Sequence, residues 1–255
     1  MKITLLPSSV VATTEEPLQF LTSYLLNDAV ALDAGCLGLF GTPAEQARVR
    51  HVLLSHAHAD HLATLPIFLE QVYQAGTVTL HGSAAVLDSL RRDVFNDRVW
   101  PALDRFTQGA SPPVRLELLE AGRPIAVEGL RVTPVPVNHA VPTLGFVVED
   151  ATSAVAFSSD TGPTEELWAC ANARPHLKAV FLEASFPDSL AALAAAAGHL
   201  TPSQFAAEVR KLRRPAAVIA VHIKPRFREQ VIRELLALGL PNVQIGRIGT
   251  AYVFS

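Results

Sequence analysis

The stretch Ser55-His56-Ala57-His58-Ala59-Asp60-His61 decides the reading of this chain. It follows directly on the apolar run Val52-Leu53-Leu54, which reads as a buried strand. Four side chains able to bind a metal ion therefore fall within six consecutive residues at a strand end. In an extended segment, residues two apart project to one side, so His56 and His58 can share one ion. A turn at Ala59 would then aim Asp60 and His61 at a second point close by. Imidazole and carboxylate together suit zinc and related divalent ions. Without a cation, ligands packed this densely would compete for solvation and hydrogen bonds.

Two metal positions need further ligands from elsewhere, and three residues at predicted strand ends offer them. His139 follows residues 133–137. Asp160 follows residues 154–159 and precedes the turn Thr161-Gly162-Pro163. His222 ends residues 216–221. Sites in α/β folds gather where strands give way to loops. Glu183 and His199 form a separate group: Glu183 closes the apolar run 179–182, and His199 stands in Gly198-His199-Leu200-Thr201 ahead of a helix. A carboxylate holding the imidazole would raise its pKa and favour a proton-donating form. The helix N-terminus would lower it instead, and spacing leaves the two readings open. Lys224 and Arg226 follow His222 and can either meet a phosphate or remain solvated surface charges.

Strands are expected over residues 3–6, 21–26, 29–33, 52–55, 78–81, 114–119, 125–127, 130–137, 144–149, 154–158, 179–182, 216–221, 243–248 and 251–254. Asn27-Asp28 suits a tight hairpin turn between the second and third of these. Helices are expected over 62–75, 84–99, 165–173, 202–214 and 226–238. The fourth has the fullest start signal: Thr201 as N-cap, Pro202 at the first helical position and Gln204 at the third. Strands and helices recur through both halves, which gives an α/β (α+β) chain with two sheets packed together and helices outside. No stretch reads as a linker, so residues 1–255 are expected to form one domain.

Among 255 residues, 49% are hydrophobic and 18% charged, enough apolar material for a large core. A net charge of −3 provides no broad attraction for nucleic acid or anionic membranes. The two cysteines, Cys36 and Cys170, lie far apart and read as reduced thiols. The run Ile3-Thr4-Leu5-Leu6 is stopped by Pro7 and is too short for a secretory signal, and the Ala-rich run 190–197 is too short to span a bilayer. A soluble, cytoplasmic protein is expected, with apolar surface to spare for a homodimer.

The motif His56-x-His58-x-Asp60-His61 resembles the signature of the metallo-β-lactamase superfamily. The segments Ser23-Tyr24-Leu25-Leu26-Asn27-Asp28, Leu32-Asp33-Ala34-Gly35, Phe95-Asn96-Asp97-Arg98-Val99-Trp100-Pro101, Ser158-Ser159-Asp160-Thr161-Gly162-Pro163-Thr164, Phe181-Leu182-Glu183-Ala184-Ser185-Phe186, Gly198-His199-Leu200-Thr201-Pro202 and His222-Ile223-Lys224-Pro225-Arg226 resemble the class II cyclic-nucleotide phosphodiesterases within it. The resemblance implies a single-domain αββα metallo-β-lactamase sandwich and two divalent metal ions, zinc in the first place, with manganese and iron tolerated by the same ligands. One ion would be held by His56, His58 and His139 and the other by Asp60, His61 and His222, with Asp160 bridging both. Glu183 and His199 resemble a carboxylate–histidine pair shared with the transfer-RNA 3′-processing nucleases, in which the histidine protonates the leaving group. The implied reaction is hydrolysis of a 3′,5′-cyclic nucleotide, cyclic AMP first, to the 5′-monophosphate, with His199, Glu183 and Asp160 as catalytic residues.

The chain departs from the pattern at Ala59, where leucine is usual, at Thr64, where glycine or serine is usual, and at Pro7-Ser8-Ser9, where a glycine-rich turn is common. None of these removes a ligand, but loops set specificity. An RNA 3′-end nuclease is the nearest alternative. Residues 91–113, the counterpart of a substrate-gripping arm, are short and not especially basic for that role. Thioester or lactam hydrolysis and a non-catalytic metal- or ligand-binding module are further alternatives.

Overall fold

The computed structural model of the protein describes residues 1–8, 18–109 and 111–255. Ser9 of the Pro7-Ser8-Ser9 departure and Ala110 of the 91–113 segment lie outside the described residues. The strands are β1 (Lys2–Leu5), β2 (Tyr24–Leu26), β3 (Val30–Leu32), β4 (His51–Leu53), β5 (Val78–Gly82), β6 (Val114–Leu118), β7 (Ile125–Val127), β8 (Leu130–Val137), β9 (Thr143–Glu149), β10 (Ala154–Phe157), β11 (Leu177–Glu183), β12 (Ala217–Val221), β13 (Val243–Ile245) and β14 (Ala251–Val253). The α-helices are α1 (Pro43–Gln46), α2 (Ala59–Leu62), α3 (Leu65–Val72), α4 (Ala84–Ser89), α5 (Glu166–Asn172), α6 (Ala191–Ala197), α7 (Pro202–Val209) and α8 (Arg228–Ala237). Among the described residues no helix is long and apolar enough to cross a membrane. The chain divides into two compact units, Met1–Glu120 with Ile248–Val253 and Ala121–Arg247 with Phe254–Ser255.

The first unit is built on a seven-stranded sheet in the order β14-β1-β2-β3-β4-β5-β6. Its β14 to β3 part is antiparallel and its β3 to β6 part parallel. Asn27 and Asp28 both adopt positive φ, 49° and 58°, as a tight hairpin turn between β2 and β3 requires. Val52, Leu54, Val78 and Leu80 pack with Leu65, Phe68, Leu69 and Val72 of α3 in one buried cluster. The helix expected over 62–75 starts earlier and is broken at Thr64. There the Thr64 hydroxyl donates to Ala34 O at 3.0 Å and accepts from Gly38 N at 2.8 Å. Pro66, which has no N–H to donate, then fits the first turn of α3. The helix expected over 84–99 also stops short. α4 widens into a π-helical stretch at Leu90–Val94, and the chain leaves it at Phe95. Asn96 Oδ1 accepts from Arg98 N and Val99 N, offering the backbone a local alternative to the helix.

The second unit carries a seven-stranded sheet in the order β13-β12-β11-β10-β9-β8-β7. Strands β10 to β13 are parallel and β7 to β10 antiparallel, so β8, β10, β11 and β12 all run the same way. One apolar cluster joins Val180, Leu182, Val218 and Ala220 of the sheet to Leu167 and Trp168 of α5, Phe205 and Val209 of α7 and Val231 and Leu235 of α8. Gln204 Oε1 accepts from Thr201 N at 3.0 Å, so the expected cap of α7 is present. The buried Glu208 carboxylate accepts from Trp168 Nε1 and Lys211 Nζ, both at 2.6 Å, and from Thr164 N at 3.3 Å. It fastens α7 both to α5 and to the loop after β10. The Ala-rich run, too short to span a bilayer, forms α6 and ends at Gly198 in the left-handed conformation.

In the first unit His51 Nδ1 and His81 Nε2 lie 3.0 Å apart, on adjacent strands. Burial first, and the neighbouring His51 second, lower the His81 pKa from 6.5 to about 4. The unfolded chain therefore binds more protons than the folded one between those values. The stability tied to a neutral His81 is complete above 6.5 and is lost as the pH falls toward 4. The unfolding free energy should drop across this window, with at most about 1.4 kcal/mol per pH unit owed to this group. Urea denaturation of the wild type and His81→Gln across the window checks it, and the variant should lack that part of the slope.

Candidate metal centre

In the first unit, β4 ends at Leu53 and the chain runs on to His58, which is the N-cap of α2. The turn expected at Ala59 is thus the start of a helix, with Asp60 and His61 inside it. The imidazole centroid of His56 lies 4.7 Å from that of His58 and 4.1 Å from that of His61. His56 and His61 are fully buried. Asp33, which follows β3, explains how they are held. Its Oδ1 accepts from Ser55 N at 2.8 Å, and its Oδ2 accepts from Ser55 Oγ at 2.8 Å and from His61 Nδ1 at 2.7 Å. The Ser55 proton is committed to Asp33, so the Ser55 oxygen is left to accept from His56 Nδ1 at 2.9 Å.

In the second unit, the parallel ends of β8, β10, β11 and β12 deliver His139, Asp160, Glu183 and His222. His139 Nδ1 donates to Gly198 O at 2.8 Å. Ser185 Oγ donates to His222 O at 3.0 Å and accepts from His222 Nδ1, also at 3.0 Å. Asp160 lies between the two rings: its Oδ2 is 4.0 Å from His139 Nε2 and its Oδ1 is 3.4 Å from His222 Nε2.

The chemistry of these donors fits a divalent metal. In His56, His61, His139 and His222 the Nδ1–H is committed to a carbonyl, a carboxylate or a hydroxyl whose own proton is spent. That fixes the tautomer and makes Nε2 the lone-pair nitrogen, as in histidines that ligate metals. Beside Asp160 this sets two acceptor nitrogens against the oxygens of one carboxylate, an arrangement that a cation stabilises.

Glu183 and His199 meet directly, with His199 Nδ1 donating to Glu183 Oε1 at 2.6 Å. Glu183, fully buried, also accepts from Thr161 N at 3.0 Å, Ser185 N at 3.1 Å and Leu200 N at 3.3 Å. One carboxylate thus ties together the loop after Asp160, the serine behind His222 and the segment of His199. The two readings of His199 left open by spacing are separated here. Burial disfavours its charged form, but the charge and hydrogen bond of Glu183, with help from Asp160, outweigh burial and the opposing Lys224, and the His199 pKa is raised. Its ring packs against those of His139 and His222, with centroids 4.9 and 5.7 Å away. Lys224 is half-buried and acts on His199 by charge. Arg226 is exposed, its guanidinium 5.6 Å from the Phe227 ring centre.

Asp33, Ser159 and His222 have φ of 60°, 53° and 55°. Left-handed non-glycine residues are strained, by roughly 1–2 kcal/mol each; Ser159 immediately precedes Asp160, His222 is itself one of the histidines above, and Asp33 holds Ser55 and His61. The sequence does not mark Asp33, Ser55, Ser185 and Gly198 as supports for these histidines. The signal for Ser55 was its place beside His56; Asp33, Ser185 and Gly198 act on histidines 28, 37 and 59 positions away, which spacing does not reveal.

Residues 33–223 match the family model described as Beta-lactamase superfamily domain. A protein from Yersinia pestis described as a probable 3′,5′-cyclic-nucleotide phosphodiesterase is 27% identical over 213 residues, covering 74% of this chain and 61% of that relative. A ribonuclease Z from Porphyromonas gingivalis is 26% identical over 109 residues, covering 40% of this chain and 33% of the relative. The chain thus matches less than two thirds of the length of either. Among solved structures, the metallo-β-lactamase fold protein YhfI from Bacillus subtilis superimposes with a TM-score of 0.74 at 15% identity, covering 99% of each chain.

Gly198 has φ +68°, and a Cβ there would lie 2.9 Å from His139 Cα and Ala140 N. Gly122 has φ +77° with nothing within 4 Å of such a Cβ. Gly198→Ala should therefore cost more than Gly122→Ala: about 1–2 kcal/mol for the backbone in both, and about 1–3 kcal/mol more at Gly198 for crowding. Paired urea denaturation curves measure the difference, and equal losses would mean that the His139 backbone yields freely.

Proposed function

The chain belongs to the β-lactamase superfamily domain family, and on that premise we propose that it is a metal-dependent phosphodiesterase that hydrolyses 3′,5′-cyclic nucleotides, cyclic AMP first, to 5′-monophosphates. We assign His56, His58 and His139 to one divalent ion and Asp60, His61 and His222 to a second, with Asp160 shared. The observation that carries the reading is the 2.6 Å contact between Glu183 and His199 next to the Asp160 carboxylate. Breaking a P–O bond to a sugar oxygen releases an alkoxide, which needs a proton from a positioned donor. Divalent cations, zinc in the first place, would supply Lewis-acid chemistry there, lowering the pKa of water and polarising phosphoryl oxygens.

The protein's own residues then have separate tasks. Water adds its oxygen to phosphorus and releases a proton to solvent as the bond from phosphorus to the ribose 3′-oxygen breaks, and His199 gives its Nε2 proton to that oxygen and recovers one from solvent. Glu183 holds the opposite ring nitrogen, so the donating face is fixed before substrate arrives. Asp160 presents one oxygen toward each of His139 and His222. Lys224 supplies positive charge on the His199 side.

The Yersinia pestis relative supports this substrate class, and the ribonuclease Z relative supports a second reading, cleavage of a phosphodiester at an RNA 3′ end. Arg92 and Arg105, in the segment that would grip RNA, are paired with Asp88 and Asp97. Residues 91–113 hold four arginines against three aspartates, little net positive charge for gripping RNA, which favours the small substrate.

Metal-loaded protein incubated with cyclic AMP should release 5′-AMP. Asp160→Ala should lose bound metal and turnover together. His199→Ala should keep its metal and lose about 10²–10⁴ in rate; full activity in that variant would remove the proton-donor role. A protein that holds two ions yet leaves cyclic AMP intact would discard the cyclic-nucleotide assignment and move RNA 3′ ends to the front. A further variant tests the support of His61: Asp33→Asn should weaken metal binding by about 10–100-fold in chelator competition while the protein stays folded.

A further inference from the structure

Phe186 has no part in the roles above, and its surroundings are unusual for a core aromatic. It is half-buried and stands outside the apolar cluster of its unit. Its ring centre lies 5.5 Å from that of His199, tilted by 56°, and 5.7 Å from that of Phe227, tilted by 43°. Neither neighbour stacks flat against it. Phe227 itself packs on the apolar cluster, which backs the pair from below.

The segment that carries Phe186 is firmly held. Ser185 N and Phe186 N both donate to Leu200 O, at 3.1 and 3.3 Å. Two residues on, Asp188 N donates to Glu234 Oε2 at 2.8 Å. The Asp188 carboxylate accepts from Ser203 N at 2.9 Å and Ser203 Oγ at 2.7 Å, at the start of α7. The backbone that carries the ring is thus held before any ligand arrives, and an aromatic surface on a held backbone loses little entropy on binding.

Three kinds of group therefore meet around His199: a proton donor, the cation of Lys224, and a rigid aromatic ring. We propose that Phe186 is the platform on which the base of a nucleotide stacks, one sugar ring away from the oxygen that His199 protonates. The inference rests on the phosphodiesterase reading and extends it: the aromatic ring selects for a planar base, which a phosphodiester without one cannot offer. Stacking of this kind is tolerant of base identity, because every base has a π-face. Phe186 then favours nucleotides as a class, without choosing between adenine and guanine.

The test separates base recognition from turnover. Binding of 5′-AMP and of ribose 5-phosphate to metal-loaded protein is measured by titration calorimetry. The wild type should prefer 5′-AMP by roughly tenfold or more, the size of a single base–aromatic stack. Phe186→Leu, which keeps the apolar bulk, and Phe186→Ala should both bring the ratio close to one, and Phe186→Trp should restore it. With cyclic AMP as substrate, the two aliphatic variants should raise KM by more than they lower kcat. A wild-type ratio near one, or a preference that survives both Phe186→Leu and Phe186→Ala, overturns the platform whether or not cyclic AMP is hydrolysed. A preference that depends on Phe186 in a protein that leaves cyclic AMP intact upholds the platform and removes the cyclic-nucleotide hydrolysis instead.

Discussion

The hydrogen bond at Nδ1 is the constraint on which the arrangement of the four buried or half-buried histidines depends. An imidazole can serve a metal only through a nitrogen that carries no proton, and which nitrogen that is depends on what the other one touches. Here the answer is built in four times, by an aspartate for His61, by a serine whose proton is already given away for His56 and His222, and by the Gly198 carbonyl for His139. Each support is a polar group that would be costly to bury without a partner. The four imidazoles are thereby oriented by hydrogen bonds to buried or backbone polar groups.

Strand direction brings these groups to common edges. In the second unit β8, β10, β11 and β12 all point the same way, so residues far apart in sequence finish side by side. In the first unit β3 and β4 are parallel neighbours, and Asp33 and Ser55 face each other just past their ends. At these edges the backbone takes strained turns at Asp33, Ser159 and His222. The strain is borne where the chain leaves a strand and must aim a side chain at once, which is where strained backbone tends to be kept.

Much of this was legible in the sequence because the signals are local. The clustered metal-type side chains at 56–61, the apolar runs before His139, Asp160 and His222, and the cap at Thr201 are each read within a few residues. The same locality explains what was missed. Helix 62–75 has unbroken apolar periodicity, and its break at Thr64 comes from hydrogen bonds to Ala34 and Gly38, some thirty residues away in sequence. The helix expected to run to residue 99 ends at Phe95, where Asn96 turns back on its own backbone. The supports of the histidines are ordinary serine, aspartate and glycine residues that acquire their role only when another strand end is placed beside them.

Tryptophan is used only twice in this chain, and the two residues fall in different units. Trp168 is buried in the second unit, its indole N–H held by Glu208. Trp100 is half-buried in the first, against an apolar pocket shared with Leu69, Phe95 and Phe106. Each unit therefore carries its own fluorophore. The loss of order in one can be followed by light emission separately from the other, with a single substitution silencing either signal.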